Sequence, residues 1–309
     1  MSRSRPTRGF TLVEILVVLG IIAILAALLL PAAMQVVTRA RNAAIAIEVS
    51  QLADAIESYK QDKGDYPPNF RDLQAFQRHL RRCYPKISPT EFNRFFTFTN
   101  GNITGFAPAF QLDEGESLVF WLSHTTNNPR DPFGFGMLLA TPPQQPEYKK
   151  YYDFDQSRLE SAETSGPDGF NSFKAKYCKD SYYLYIDSRS YVECAGFKDP
   201  PYSEAADRFA YAEDPTNYKH CARPYWSETL TGTGMTTRDK YKPVNPTSYQ
   251  ILCAGQDGDF GLYDKTESII TPDVKQYPGG LYYSDSRADH DNITNFSNAT
   301  RLQDNIPQQ

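Results

Sequence analysis

The chain has 309 residues, 40% of them hydrophobic and 14% aromatic, which supplies a folded core and excludes a wholly disordered chain. Its formal charge of −5 argues against nucleic acid as a partner, because neutralising phosphates needs a surplus of Lys and Arg. The charge is uneven: Arg3, Arg5 and Arg8 stand in the first eight residues without an acidic neighbour, leaving 29 basic against 37 acidic side chains in the rest.

From Ile15 to Thr38, 24 consecutive residues carry no charge. As a helix they cover roughly 36 Å, enough for a hydrocarbon core of about 30 Å. The apolar part of a secretory signal peptide is shorter, about 7–15 residues. The run therefore predicts a membrane-spanning helix over 10–38. The three leading arginines hold the N-terminus in the cytoplasm and place the bulk of the chain outside. Glu14 stands at the entrance to this run. A carboxylate at membrane depth costs roughly 2.5–3.5 kcal/mol on insertion scales, so it calls for a partner or for headgroup solvation at the interface.

The stretch Arg8-Gly9-Phe10-Thr11-Leu12-Val13-Glu14-Ile15-Leu16 resembles the prepilin processing motif shared by type IV pilins and type II secretion pseudopilins. The basic leader, the Gly9–Phe10 junction, the Glu four residues after Phe10 and the long apolar run all agree with it, and Pro31 stands where these proteins often carry a proline. The resemblance implies that a membrane prepilin peptidase removes residues 1–9 and that the new Phe10 amine is N-methylated. It also implies that Glu14 of one subunit neutralises the Phe10 amine of the next. Two charges that are each costly alone are then tolerated as a pair. The implied partners are the prepilin peptidase, other pilin or pseudopilin subunits, an inner-membrane assembly platform and membrane lipid.

Beyond the apolar run, Ile45, Val49, Leu52, Ile56 and Tyr59 recur at steps of four and three, the mark of an amphipathic helix. Glu48, Gln51, Asp54, Glu57 and Lys60 are expected on the opposite face. Gly64 and then Pro67 and Pro68 stop the helix, so 39–63 continues the anchor, with Pro31 the expected place for a kink.

Residues 64–309 form the outward domain. A helix is expected around 70–82. Strands are expected at Ser117–Leu122, at Tyr182–Ile186 in a hairpin with Tyr191–Glu193, and at Tyr249–Cys253. The segments 141–169 and 200–242 read as long surface insertions. The predicted fold class is α+β and pilin-like, a long N-terminal helix packed against an antiparallel sheet. Asp131-Pro132-Phe133-Gly134 resembles a turn that many major pseudopilins carry ahead of their sheet. Tyr249–Asp259 resembles their last strand and acidic loop, and Asp289–Thr294 the motif that closes it. That resemblance implies calcium as a cofactor, with Asp257, Asp259, Asp289, Asp291 and Asn292 supplying oxygens, as a cation wanting six to eight of them requires. Ordinary turn chemistry also accounts for Asp-Gly after an apolar strand. The 29 residues of 260–288 between the two acidic groups depart from the family pattern.

All five cysteines lie in the outward part. An oxidising compartment allows up to two disulfides, and Cys178 with Cys194, flanking the expected hairpin, is the first candidate pair. No Cys-x-x-Cys, Gly-x-Ser-x-Gly, phosphate-binding loop or His-Glu-x-x-His occurs, and the four histidines are scattered. The basic cluster Arg78-His79-Leu80-Arg81-Arg82 reads as a solvated helix face, or else as a contact for nucleic acid or anionic surfaces. The leading expectation is a structural filament subunit without catalysis. The alternatives are a minor or tip pilin for adhesion or DNA uptake, and a membrane-tethered enzyme that no constellation of residues supports.

Overall fold

The computed structural model describes residues 11–138, 144–160, 170–179, 181–191, 222–229, 241–260, 275–277, 291–297 and 301–305. The helices are α1 (Leu12–Lys63), α2 (Leu73–Cys83), α3 (Pro89–Arg94), α4 (Glu114–Ser123) and α5 (Phe135–Leu138). The strands are β1 (Phe96–Thr99), β2 (Asn102–Phe106), β3 (Thr125–Thr126), β4 (Tyr148–Lys149), β5 (Leu159–Glu160) and β6 (Ser172–Phe173). They continue with β7 (Leu184–Asp187), β8 (Tyr225–Thr229), β9 (Tyr241–Pro243), β10 (Tyr249–Cys253), β11 (Lys275–Gln276) and β12 (Ile293–Thr294). The architecture is α+β and pilin-like.

One helix runs from the apolar segment into the domain, through Pro31. Thr11 caps its start, and Gly64 ends it at φ 81°, its amide donating to the Lys60 carbonyl at 2.7 Å. Only a residue without Cβ holds that left-handed turn cheaply. Every residue from Leu12 to Val37 except the half-buried Ala26 is exposed, with Leu28 at 70%. In the second half Ile45, Val49, Leu52, Ile56 and Tyr59 are each 0–1% exposed, as their spacing predicts. Glu48 departs from the expected polar face and is buried.

The central sheet has the order β12-β10-β7, antiparallel throughout. Period-two alternation divides its side chains. Tyr183, Tyr185, Tyr249, Ile251 and Cys253 join the core that includes the α1 stripe, while Leu184, Ile186, Leu252 and Ala254 enter a second core with Tyr225, Trp226 and Phe260. A sheet covered on both faces loses its polar alternation, as in Ile251-Leu252-Cys253-Ala254. The one polar residue of β10, Gln250, is buried and bonds the Tyr225 amide and carbonyl through its side chain. The second sheet, β11-β8-β9, mixes one parallel pair with one antiparallel pair.

Two strand expectations are overturned. Ser117–Leu122 is helical, inside α4, whose start carries a capping box formed by Asp113 and Glu116. Every residue from Glu114 to Leu122 is buried, so no polar face marks a helical period. The expected hairpin of Tyr182–Ile186 with Tyr191–Glu193 is not formed by its described residues. β7 pairs with β10, through Tyr249–Asp187 to Leu252–Leu184, and Tyr191 has helical backbone. Residues 192 and 193 lie outside the described residues. The expected helix around 70–82 is α2.

Candidate functional site

The first functional element is the exposed apolar half of α1 with Glu14 at its head. Thr11 and Glu14 form a reciprocal cap. The Thr11 amide and hydroxyl both donate to Glu14 Oε2 at 2.8 Å, and the Glu14 amide donates to Thr11 Oγ1 at 3.3 Å. Such a box satisfies helix N–H groups that otherwise have no acceptor. The sequence signal for it, Thr followed three residues later by Glu, is plain in Thr11-Leu12-Val13-Glu14. Gly9 and Phe10 lie outside the described residues.

The second element is the clasp between α1 and the domain. Glu48 accepts two hydrogen bonds from the Arg158 guanidinium, at 2.7 and 2.8 Å, and a third from the Tyr183 hydroxyl at 2.6 Å. Arg158 also stacks 4.1 Å from the Phe173 ring centroid and donates to the Lys174 carbonyl. Burial opposes charge on Glu48, but the bonds from Arg158 and Tyr183 prevail and hold its carboxyl below the usual range. Farther along, the Tyr249 hydroxyl donates to the Ala53 carbonyl at 3.2 Å, and Tyr151 binds Asp62.

The third element is the loop after β10. Its Gln256 reaches α1, donating to the Thr38 carbonyl at 3.0 Å and to the Asn42 side chain. The loop thus sits where the helix passes from its exposed half to its packed half. Gly255 has φ 70° and lies against Asp291, whose Oδ2 accepts from the Gln256 amide at 2.7 Å and the Asp257 amide at 3.3 Å. A Cβ on Gly255 would stand 2.4 Å from that carboxylate, so the close approach requires glycine. Burial, together with the neighbouring acids, pushes Asp257 up to about 7, and Asp291 is also raised, chiefly by burial.

Asp291 Oδ1 is buried and has no hydrogen-bond partner among the described residues. A pair of carboxylates held together with an unused buried oxygen fits a hard divalent cation. Asp259 lies beside Asp257, its amide donating to Asp257 Oδ1 at 2.8 Å. Asn292 gives its amide nitrogen to the Tyr225 hydroxyl at 2.9 Å and the Phe260 carbonyl, inside the second core. Asp289 lies outside the described residues.

The Asp131 turn is a supporting element. The Asp131 carboxylate accepts from the Gly136 and Met137 amides at 3.0 and 2.9 Å, and Gly134 takes φ 74°. Phe133 is 1% exposed, and its amide donates to Glu91 Oε1 at 2.9 Å. Burial first, and the Asp131 carboxylate second, push Glu91 up to about 8, so it carries its proton at neutral pH.

The candidate disulfide partners are not brought together among the described residues. Cys194 lies outside them, and Cys178 meets Cys253. Reading the sequence also missed Thr11, Glu48, Arg158, Tyr183 and Gln256. Except for the Thr11 cap, their partners are too distant in the chain for any local pattern to reveal.

A helix that is exposed and apolar for half its length and fastened to a small α+β domain along the rest defines a membrane-anchored, pilin-like protein. Residues 4–30 match the prokaryotic N-terminal methylation motif. The type II secretion system core protein G of Pseudomonas aeruginosa is 30% identical over 135 residues, covering 43% of this chain and 84% of that protein. The proteins of that name from Klebsiella michiganensis and Klebsiella pneumoniae are each 38% identical, over 73 and 68 residues. In those two matches the chain spans about half the length of the relative, 51% and 49%. The chain belongs to the type II secretion system core protein G family, the pseudopilins. No solved structure matches it.

Proposed function

We propose that this protein is a structural, non-catalytic subunit of a type II secretion pseudopilus or a related type IV filament. A prepilin peptidase cuts after Gly9, Phe10 is N-methylated, and the subunit moves from the inner membrane into the filament through α1, its domain facing the periplasm. The observation that carries this reading is the asymmetry of α1. Its exposed apolar half requires lipid or neighbouring helices, while its other half is fixed to the domain, so the helix transmits its position to the domain as a rigid unit. The Thr11 cap adds to the assembly argument. Hydrogen bonds from Thr11 partly offset the cost of Glu14 in the free subunit, and the positive Phe10 amine of a neighbour then supplies the counter-charge.

We also propose that Asp257 and Asp291, with Asp259 and Asp289, hold calcium. The ion would supply positive charge between carboxylates that otherwise repel, and would fasten the loop beneath the helix exit.

The test is the intact mass and N-terminal sequence of the protein from its native membranes, compared with sheared filaments. A chain starting at Phe10 and heavier by one methyl group is expected, and a chain starting at Met1 or Ser2 refutes the reading. Glu14→Ala should be cleaved normally yet be missing from filaments. High abundance there marks a major subunit, whereas a rare species would favour the minor or tip reading.

A further inference from the structure

Strand β10 ends at Cys253, 0% exposed and part of the core beneath α1. The turn after β6 brings Cys178 back to it from 75 residues away, and the two Sγ atoms lie 3.5 Å apart. The surrounding backbone fixes this approach. Gly258 takes φ 77° and packs so closely on Lys179 that a Cβ there would lie 2.0 Å from the Lys179 carbonyl oxygen. Tyr177 has φ 60°, and the Arg41 guanidinium lies 5.7 Å from its ring centroid. The turn 176–179 is thus held between α1, near its exit from the apolar half, and the acidic loop 254–259. Among the described residues no third His, Cys or carboxylate joins the two thiols in a metal-binding group, which leaves pairwise sulfur chemistry.

We propose that Cys178 and Cys253 are a disulfide site that staples the turn 176–179 to the end of β10 and so holds the acidic loop in place. Formation in the cell rests on the outward orientation proposed above, because an oxidising compartment is needed. The reaction is thiol–disulfide exchange with a disulfide donor, either a protein dithiol oxidase or oxidised glutathione. The Cys178 thiolate attacks one donor sulfur, breaking the donor S–S bond and releasing one donor thiolate. Cys253 loses its proton and attacks the Cys178 sulfur, forming the protein disulfide and releasing the second donor thiolate. The donor sulfurs are reduced, and they take up the two protons that the protein thiols give up. Burial of Cys253 raises its thiol well above the usual range, so the exchange belongs to folding, before β10 is covered.

The experiment uses the full chain from native membranes, quenched in acid and alkylated before any reductant is added, then mapped by proteolysis and mass spectrometry. A peptide linking Cys178 to Cys253, absent from Cys253→Ser, is expected. A second arm refolds the reduced chain in detergent with oxidised glutathione. Linkage there, with both thiols alkylated in the native material, upholds the pairing and overturns the outward orientation. Both thiols alkylated in both arms, or Cys178 linked to another cysteine, overturns the pairing. Reductant should lower the Tm of the wild-type chain by about 5–15 °C. It should leave Cys178→Ser, which keeps the buried Cys253, without that shift; an equal shift in that variant counts against the staple.

Discussion

Replacing Glu48 by Ala tests the clasp between helix and domain. The side chains of Glu48 and Arg158 are 8% and 13% exposed, so the variant leaves a guanidinium in a largely dry site. Among the described residues, the Lys174 carbonyl alone remains of its acceptors, with the Phe173 ring beneath it. Tyr183 loses its acceptor as well. Removing one partner of a buried pair costs about 3–5 kcal/mol. For a domain of this size each kcal/mol moves Tm by about 2–4 °C, so a fall of roughly 6–20 °C is expected. The assay is thermal unfolding of the full chain in detergent, with two controls. Asp153→Ala breaks the exposed pair with Lys150, at 84% and 56% exposure, and should change stability by less than about 1 kcal/mol. Glu48→Ala with Arg158→Met removes both charges and should recover much of the loss, because the unpaired cation is gone. A Glu48→Ala variant as stable as Asp153→Ala would refute the reasoning, as would a double variant worse than the sum of its parts. Glu48 also gives a sign in pH. Its folded-state carboxyl titrates below the unfolded value, so its contribution is present above the unfolded pKa and is lost as pH falls through the folded one.

Glu91 behaves in the opposite sense. Raised to about 8 from 4.5, it keeps a proton in the fold that the unfolded chain releases, so stability falls as pH rises across that interval. Glu91→Gln, neutral at every pH, should flatten that fall by on the order of a few kcal/mol in pH-dependent unfolding, and identical slopes in the two proteins would contradict it. For the acidic loop, calcium at a hundredfold excess over its Kd should raise Tm by about 5–10 °C, a shift abolished by chelator and by Asp257→Asn. An unchanged transition with and without chelator removes calcium from the account. Because Asp257 titrates near 7, calcium affinity should also weaken below neutral pH.

What the sequence disclosed follows from the range of each interaction. The α1 stripe and the Gly64 stop are local, repeating every three or four residues or fixed by one backbone angle, and both are legible directly. The Asp131 turn and the acidic loop were legible through resemblance, because short ordered motifs carry them. α4 was not, since burial on all sides erases the polar face from which a period is read. The partner of β7 was hidden for another reason. β7 and β10 are more than 60 residues apart, and no turn signal joins them. The same distance hid the clasp, because Glu48 reads as one more polar helix residue until Arg158, 110 positions away, is placed beside it.

The polar contacts along the seam fix the register of the helix on the domain. The buried stripe of α1 is nearly periodic, so sliding the helix by one turn would keep most of its apolar side chains on apolar neighbours, Tyr59 on Trp121 and Tyr151 being the exception. The polar contacts do not survive such a slide. Gln256 at Thr38 and Asn42, Arg158 and Tyr183 at Glu48, Tyr249 at Ala53 and Tyr151 at Asp62 meet the helix at four heights. A shift of about 5.4 Å would break all four and strand a buried guanidinium. Apolar burial supplies most of the attachment, and the polar contacts choose one register. For a subunit whose helix positions its domain in a filament, register sets where the acidic loop stands relative to the membrane exit. The Glu48→Ala/Arg158→Met chain separates the two roles. With stability recovered, its amides from 45 to 60 should exchange faster than wild type if register was being chosen there, and at the wild-type rate if apolar packing alone selects it.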